Sequence, residues 1–271
     1  MHRHIRNLTF GMITAVQSAA LLTAAPAAAK RCTQDMVAVG DVCVDKYEAS
    51  VWEIPAANTS LIKAVVKGKL TGAADLSGGA QRGATGDDYG AGCPATGNGC
   101  KDFYAVSIPG VTPSTNITWF QAAAACRNAG KHLATNPEWQ LAALGTPDPG
   151  TDNGSTDCNV HTVSHVLPED PVATGSRSGC VSDTGAFDMV GNVYEWVAEW
   201  TDQATGITNW PGAYGTDYAH FGGNGSLNLP AAPIRGGSFD GNTDAGVFDI
   251  DGSFNPSFTD PSVGFRCARR P

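Results

Sequence analysis

Side chains that could bind a ligand are concentrated near the end of this 271-residue chain. Between Ser238 and Val263, Asp, Asn and Ser alternate with Phe, and the stretch is framed by residues 235–238 (RGGS) and 263–267 (VGFRC). Rings that supply contact area, mixed with short adaptable hydrogen-bonding groups, are typical of recognition loops. The stretch therefore favours ligand binding, and the sequence offers no catalytic constellation beside it.

We expect nine of these side chains to make the contacts with a ligand, because they lie in turn-rich sequence without a sustained core periodicity. They are Asp240, Asn242, Asp244, Asp249, Asp251, Ser253, Phe258, Asp260 and Ser262. The alternative is that the phenylalanines of the stretch fill the core, and we assign Phe248 there. Tyr214, Tyr218 and Phe221 are expected to extend the same face.

Two other sets of residues could bind a ligand or a metal but favour structural roles. Trp119, Trp139, Trp196 and Trp200 have helix or strand spacing, which predicts that they belong to the core. Cys158, His161 and His165 could be a transition-metal cluster. That run lies in Gly-, Pro- and Ser-rich sequence, and Cys158 is better used in a disulfide.

The N-terminus predicts a cleaved signal peptide over residues 1–29. A basic start (residues 2–6, HRHIR) precedes an apolar stretch from Leu8 to about Thr23, and small residues end at Ala29. The alternative is a membrane anchor, but Gln17 and Ser18 interrupt the apolar stretch. We therefore expect an exported protein, secreted, periplasmic or on the cell surface, with no transmembrane segment after cleavage.

Residues 30–271 are expected to form a single domain of mixed α+β class. This part holds 15 Lys and Arg against 26 Asp and Glu, so an acidic surface would repel phosphate backbones. We expect no nucleic-acid partner. Abundant Gly and Asp predict many tight turns and little regular structure.

The eight cysteines all follow the predicted signal peptide, which predicts disulfides formed in an oxidising compartment. Eight cysteines allow about 105 pairings, so sequence alone does not fix the connectivity. Local spacing favours Cys32–Cys43, Cys93–Cys100 and Cys158–Cys180, which leaves Cys126 and Cys267 to pair across the chain.

Two helices and several short strands are predicted to position these groups. Residues 36–44 alternate around Gly40 and predict a hairpin. Thr118 is expected to cap a helix that runs to Ala129, and Thr135 to begin a second helix that runs to Leu144. Further strands are expected at 45–51, 194–197, 233–236, 246–250 and 264–268, and residues 68–99 are expected to be a long surface excursion.

Four motifs carry a resemblance to a known family. Residues 191–196 (GNVYEW), 235–239 (RGGSF), 264–269 (GFRCAR) and 129–143 (AGKHLATNPEWQLAA) resemble the formylglycine-generating-enzyme-like, or sulfatase-modifying-factor, family. The resemblance covers about Met36 to the C-terminus and implies a C-type-lectin-like fold with two short helices and small antiparallel sheets.

The end of the chain is most similar to the variable proteins of diversity-generating retroelements within that superfamily. In those systems an error-prone reverse transcriptase rewrites template adenines, so that chosen codons vary. The resemblance implies that the variable region lies at about residues 235–267.

The resemblance also bears on copper. Enzymes of the family oxidise a substrate cysteine with copper held by two cysteines shortly before the GFRC motif, since thiolates select Cu(I). Here Cys267 is the only cysteine after Cys180, and the resemblance pairs it with Cys126. We therefore expect no copper-dependent activity, and no iron of the kind that histidines hold in another branch of the superfamily.

Calcium is the metal that the resemblance implies. Carried onto this sequence, its ligands are the side chains of Asp188 and Glu195 and the carbonyl oxygens of Gly191 and Val193. A turn with carbonyls between two carboxylates suits a hard cation that takes six to eight oxygens. The alternative is that both carboxylates cap the turn and face water. A second family site would use Asn159 and the Val160 carbonyl, but its other ligands have no match.

We therefore predict an exported binding protein whose C-terminal variable region recognises a protein or a glycan on another cell or particle. The alternatives are a metal-dependent oxidase of the family type and a non-catalytic structural surface protein. The sequence leaves the oligomeric state open.

Overall fold

The described residues form three sheets and three short α-helices, which confirms the α+β class. The computed structural model describes residues 32–161, 170–201, 207–209, 218–220 and 230–271, and these belong to one compact unit, Arg31–Pro271. The predicted signal peptide (residues 1–29), His165, Tyr214 and Phe221 lie outside the described residues. Within the described ranges, no helix has the length and apolar character needed to cross a bilayer.

The first sheet joins the two ends of the domain. The predicted hairpin consists of β1 (Met36–Val39) and β2 (Val42–Asp45), which pair antiparallel around Gly40. The last strand of the chain, Cys267–Arg269, pairs with β2 and with the two-residue strand His132–Leu133. The last strand of the chain therefore pairs with the hairpin that begins the described domain.

The second sheet lies beside the first and is antiparallel. Its central strand, β3 (Ser50–Glu53), pairs with β4 (Ala80–Arg82) and β5 (Phe103–Val106). Strand β4 lies inside the stretch that the sequence assigned to a surface excursion. The helix α1 (Thr59–Val66), capped by the Asn58 side chain, is also additional to the predicted pair of helices.

Two capping boxes begin the two helices that the sequence did predict. In α2 (Trp119–Asn128) the Thr118 hydroxyl accepts from the Gln121 amide, while the Gln121 side chain accepts from the Thr118 amide. Thr135 and Glu138 make the same exchange at the start of α3 (Asn136–Ala143), which has Pro137 in its first turn. Each box satisfies donors that a helix start leaves open.

The third sheet has six strands and receives the C-terminal part of the chain. In spatial order they are Val263–Phe265, Tyr194–Trp196, Ile234–Arg235, Ile250–Asp251, Tyr218–His220 and Ile207–Asn209. Two of its pairings, Val263–Phe265 with Tyr194–Trp196 and Tyr218–His220 with Ile250–Asp251, are parallel. The sheets are therefore not all antiparallel.

The core contains Trp139 and Trp196, each with no exposed surface, and Phe265 beside Trp196 in the same cluster. Trp119 is half-buried against that cluster. The prediction for Trp200 is wrong, since 46% of its surface is exposed. Trp200 lies four residues beyond the end of the strand Tyr194–Trp196.

The four disulfides are those that the sequence favoured: Cys32–Cys43, Cys93–Cys100, Cys126–Cys267 and Cys158–Cys180. Three close local loops of 7 to 22 residues. Cys126–Cys267 instead ties α2 to the last strand across 141 residues. A cross-link over a longer loop restricts the unfolded chain more strongly.

We expect removal of Cys126–Cys267 to destabilise the domain more than removal of Cys93–Cys100, whose cysteines are equally buried. For loops of 141 and 7 residues, the chain-entropy relation gives a difference of about 2.7 kcal/mol. Urea unfolding of Cys126→Ala/Cys267→Ala and of Cys93→Ala/Cys100→Ala measures it. Equal losses in the two double variants would contradict the prediction.

Candidate functional site

The scaffold holds the C-terminal segment, defined as residues 236–262, largely through main-chain atoms. The Arg235 guanidinium donates to the carbonyl oxygens of Asp249 at 2.6 Å and of Val247 at 3.1 Å. The side-chain amide of Gln140 donates to the same Val247 oxygen at 3.0 Å. Arg235 itself stacks on Trp139, 4.4 Å from the ring centre, and is buried.

Backbone hydrogen bonds fix the rest of the segment. The pairs, donor first, are Gly191–Gly236, Phe239–Asn192, Asn242–Val160, Trp119–Pro256, Asn116–Asp260 and Tyr194–Ser262, each at 2.8–3.0 Å or close to it. Because N–H and C=O groups are common to nearly all residue types, such bonds survive a change of side chain. These main-chain bonds would therefore persist when the side chains of the segment change.

Three of the nine predicted contact residues are fully exposed. Asp240, Asn242 and Asp244 lie on or beside the 3₁₀ turn Asn242–Asp244. The turn is anchored below by the bond from the Asn242 amide to the Val160 carbonyl. A ligand could reach all three, although one carboxylate oxygen of Asp240 also accepts from the Ser238 hydroxyl at 2.6 Å.

Four more predicted contacts, Ser253, Phe258, Asp260 and Ser262, are half-buried. Phe258 stacks on Phe254 with ring centres 4.2 Å apart, and both pack against the core. Each of these residues keeps part of its surface in solvent, at the rim of the exposed face.

A repeated turn explains the polar residues of this half of the segment. The side-chain oxygen of an Asp or Asn accepts from the amide and the hydroxyl of a serine two residues later. The pairs are Asp251–Ser253, Asn255–Ser257 and Asp260–Ser262. The spacing [DN]-x-S was visible in the sequence, and sequence reasoning missed it.

Asp249 and Asp251 are not contact residues, and their prediction is wrong. Asp249 has 0% and Asp251 7% of its surface exposed. Asp251 lies in the strand Ile250–Asp251, between two other strands of the six-stranded sheet, and Asp249 immediately precedes it. Alternating Asp and Phe does not indicate which residues a sheet will cover, because the covering strands come from elsewhere in the chain.

Two tyrosines lie close to these aspartates. Burial, together with the nearby carboxylates of Asp249 and Asp251, raises the pKa of the Tyr194 hydroxyl well above its usual value. Burial and the carboxylates of Asp251, Asp244 and Asp249 also raise the pKa of Tyr218. Tyr218, which we expected to extend the face, therefore lies beside the segment as a neutral phenol.

The turn predicted to hold calcium precedes the strand Tyr194–Trp196. Asp188, Gly191 and Asn192 adopt left-handed backbone angles, with φ of 57°, 72° and 59°, which folds the turn tightly. Asp188 and Glu195 are both buried, so the alternative in which they face water does not describe them. One Asp188 oxygen accepts from the Gly175 amide at 2.7 Å.

Glu195 is paired with Arg266. The guanidinium donates to both carboxylate oxygens at 2.6 Å, and the Trp139 indole donates to one of them at 2.7 Å. A carboxylate offers about four acceptor positions, so about one remains on Glu195.

Sequence reasoning missed a third carboxylate, Glu48, which lies near Asp188 and Glu195. Glu48 accepts from the Asn192 side chain and from the Val193 amide at 3.1 Å. Burial and the carboxylates of Asp188 and Glu195 raise the pKa of Glu48 well above its usual value. Glu48 lies 140 residues before Asp188, so no local sequence pattern links the two residues.

Three buried carboxylates, those of Glu48, Asp188 and Glu195, therefore lie around the buried guanidinium of Arg266, and the buried Arg177 also acts on Asp188. Burial raises the pKa of Asp188 to about 7, against the pull of the Gly175 amide and of Arg266. This excess of negative charge, with carboxylate and carbonyl oxygens at the turn, suits a hard cation. Within the described residues, no group of three or more His, Cys, Asp or Glu side chains is arranged to hold a metal. Carbonyl oxygens would have to complete the shell.

At the second calcium position of the family, protein groups already bond the two matching oxygens. Arg177 donates to the Asn159 side-chain oxygen at 3.2 Å, and the Asn242 amide donates to the Val160 carbonyl at 3.0 Å. A guanidinium thus supplies positive charge there, and these residues do not fit a second calcium ion.

All eight cysteines are bonded in disulfides, so none offers a thiolate. Cys158, which the sequence could have assigned to a metal cluster with His161, is bonded to Cys180.

We expect the pKa of Asp188 to make folding depend on pH when divalent cations are chelated. Its carboxyl holds a proton up to about pH 7 in the folded state and only to about pH 4 when unfolded. The folded state therefore binds more protons in this window, and stability falls as pH rises through it. Asn tolerates the left-handed backbone at this position. Asp188→Asn should therefore remove the pH dependence that Asp188 contributes, and its free energy of unfolding at pH 8 should exceed that of the wild type by at least about 1 kcal/mol.

Urea unfolding with EDTA at pH 4, 6 and 8 measures this difference. The two proteins should converge at pH 4, and a variant that is less stable than wild type at pH 8 would contradict the assignment.

Comparison with known proteins identifies the family. Residues 81–271 match the family model of the sulfatase-modifying factor enzyme 1-like domain. The formylglycine-generating enzyme of Streptomyces coelicolor is 29% identical over 179 residues, which cover 58% of this chain and 52% of that protein. The serine/threonine-protein kinase pkn1 of Chlamydia caviae is 26% identical over 167 residues, 58% of this chain and 24% of the kinase.

Among solved structures, the Major Tropism Determinant U1 variant aligns over 88% of this chain and 52% of its own, with 18% identity and a TM-score of 0.45. The chain spans between a quarter and about half of the length of the two curated relatives given above. The match to the family model covers more than two thirds of the chain, and the four motifs lie within it. The chain belongs to the formylglycine-generating-enzyme-like, or sulfatase-modifying factor enzyme 1-like, family and has its C-type-lectin-like fold.

Proposed function

We propose that this chain is an exported ligand-binding protein whose C-terminal segment provides variable contacts to a protein or glycan partner. One observation carries the proposal. The scaffold holds the segment by main-chain atoms, through Arg235, Gln140 and backbone pairs, while Asp240, Asn242 and Asp244 point into solvent. Such a segment can change its side chains and keep its path.

The burial pattern narrows the proposed contact set. Asp240, Asn242 and Asp244 form its exposed part, and Ser253, Phe258, Asp260 and Ser262 form its half-buried rim. Asp249 and Asp251 are excluded from the contact set because they are buried. The frame motifs RGGSF and GFRC remain outside the contact set, since Arg235 and Arg266 are buried and hydrogen-bonded within the domain.

A binding role without catalysis is supported by the cysteines. The copper chemistry of the family requires thiolates, and each cysteine of this chain lies in a disulfide. The same four bridges, typical of oxidising compartments, support export. The acidic composition supports a partner other than nucleic acid.

A survey of close relatives tests the function. We expect substitutions between related isolates to concentrate at the seven exposed and half-buried contact positions and to spare Asp249, Asp251 and Arg235. We also expect a reverse-transcriptase gene near the gene for this protein, beside a near-copy of the DNA that encodes its C-terminal end. The two copies should differ at adenines. The matched control is the exposed surface of α1 (Thr59–Val66), where the substitution rate gives the background. Equal rates at the two surfaces would refute the proposal.

We also propose that one calcium ion binds at the turn formed by Asp188, Gly191, Val193 and Glu195 and stiffens the scaffold. The excess of buried carboxylate over guanidinium supports it, as does the tight left-handed turn. Asp188 would be the main carboxylate ligand, because Arg266 and Trp139 occupy most of Glu195.

Calcium should therefore raise the melting temperature of the wild-type protein at pH 7.5 or so. Above the dissociation constant, each tenfold rise in calcium should add about 1.4 kcal/mol to the free energy of unfolding. Asp188→Asn should lose most of this response. Asp183→Asn, a change at an exposed aspartate of the preceding loop, should keep it. Calorimetry in EDTA and at increasing calcium concentrations measures both responses. A wild-type melting temperature that does not change with calcium would contradict the proposed site.

A further inference from the structure

An apolar pocket of about 300 Å³ lies where the scaffold meets the C-terminal segment. Its walls are Phe120, Trp200 and Pro230 from the scaffold side, and Pro256 and Ser257 from the segment. The function proposed above does not use it. Because Pro256 and Ser257 belong to the segment and directly precede Phe258, anything bound there would also contact the segment.

Aromatic packing fixes the scaffold wall. Trp119, Phe120 and Trp200 meet edge to face, with ring centres 5.3–5.7 Å apart. The Trp119 indole donates to the Val197 carbonyl at 2.9 Å, and the Trp119 amide donates to Pro256 at 3.0 Å. The pocket is thus preformed, yet Trp200 leaves 46% of its surface in solvent.

The lining favours an apolar side chain over a sugar. A sugar ring needs several hydrogen-bond partners around an aromatic platform, and among the described lining residues only Ser257 carries a polar side chain. Its hydroxyl already donates to Asn255. The volume of about 300 Å³ is at the lower end of the range for small-molecule pockets, about 300 to 1,000 Å³, and leaves room for one aromatic or branched aliphatic side chain. Such anchors in pockets dominate protein interfaces.

Charge favours a basic partner. The C-terminal segment holds five Asp and no Lys or Arg. Asp240 and Asp244 are exposed, and Asp260, two residues beyond Phe258, is half-buried. Basic surfaces are attracted to such a face, and a neutral glycan gains nothing from it.

We propose that the pocket receives an apolar side chain from a protein partner whose neighbouring surface carries Lys or Arg. This inference rests on the proposed function and chooses the protein over the glycan as the partner class. The pocket would anchor the partner, while the variable residues around it would set which partner binds.

Defined peptides test the proposal on the intact protein. The probe is Ac-GKWKG-NH2, with Ac-GKSKG-NH2, Ac-GQWQG-NH2, chitotriose and mannotriose as comparisons. Titration at low salt is followed through the indole NMR signals of Trp119 and Trp200. We expect the first peptide to bind, the serine peptide to give no titratable shift, and the uncharged peptide to bind at least about threefold more weakly. Neither sugar should shift the signals.

Two variants with similarly exposed apolar residues provide the matched control. Trp200→Ala should weaken binding of the peptide Ac-GKWKG-NH2 at least about tenfold. Binding to this variant is followed on the indole NMR signal of Trp119, which the variant retains. Leu141→Ser, a change at a residue of α3 with 50% exposure, should leave it unaltered. Leu141→Ser should keep the wild-type melting temperature, whereas Trp200→Ala, which loses its ring contacts with Trp119 and Phe120, should lower it only slightly.

Three results would overturn the inference: binding of the sugars, peptide binding that survives Trp200→Ala, or no binding of any probe. A Trp200-dependent dimer in sedimentation would also overturn it and would assign the pocket to a second copy of the chain. The proposed function fails separately, when relatives vary no more at the contact positions than elsewhere.

Discussion

A buried ion pair between Arg266 and Glu195 lies where the parts of this domain meet. The guanidinium also donates to the carbonyl oxygens of Asp45 at 3.0 Å and of Phe187 at 2.9 Å, and Glu195 accepts from Trp139. A buried guanidinium is costly unless its donors are satisfied. The opening hairpin, the turn before the strand Tyr194–Trp196, and helix α3 must therefore all reach their native positions together.

The same constraint positions the recognition face. Trp139, which bonds Glu195, carries Arg235 on its ring, and Arg235 holds the carbonyl oxygens of Val247 and Asp249. A continuous path of buried polar contacts thus runs from the ion pair to the base of the C-terminal segment. Because the last contacts of this path are to main-chain oxygens, they do not depend on which side chains the segment carries. This separates the part of the domain that must be constant from the part that can differ.

The negative charge of the chain serves two different physical roles. At the turn, Glu48 and Asp188 are buried with too few cations, which favours either protonation or a bound cation. At the surface, Asp240 and Asp244 are hydrated and available to a partner. Burial decides between these roles, since a hydrated carboxylate stays ionised at little cost and a buried one does not.

Local sequence determined much of the scaffold. Capping residues, an alternating hairpin, cysteine spacing and four motifs predicted two helices, the opening hairpin of the first sheet, the four disulfides and the family, because each depends on nearby residues or on a specific pattern. Tertiary structure alone decided which aspartates face water. Asp249 and Asp251 resemble Asp240 and Asp244 in sequence, but the first two are buried, and Asp251 lies in a strand that is paired on both sides. The sequence did not predict the burial of Glu48 or the exposure of Trp200 for the same reason. Burial depends on segments that are distant in the chain, and the sequence neighbours of a residue do not reveal those segments.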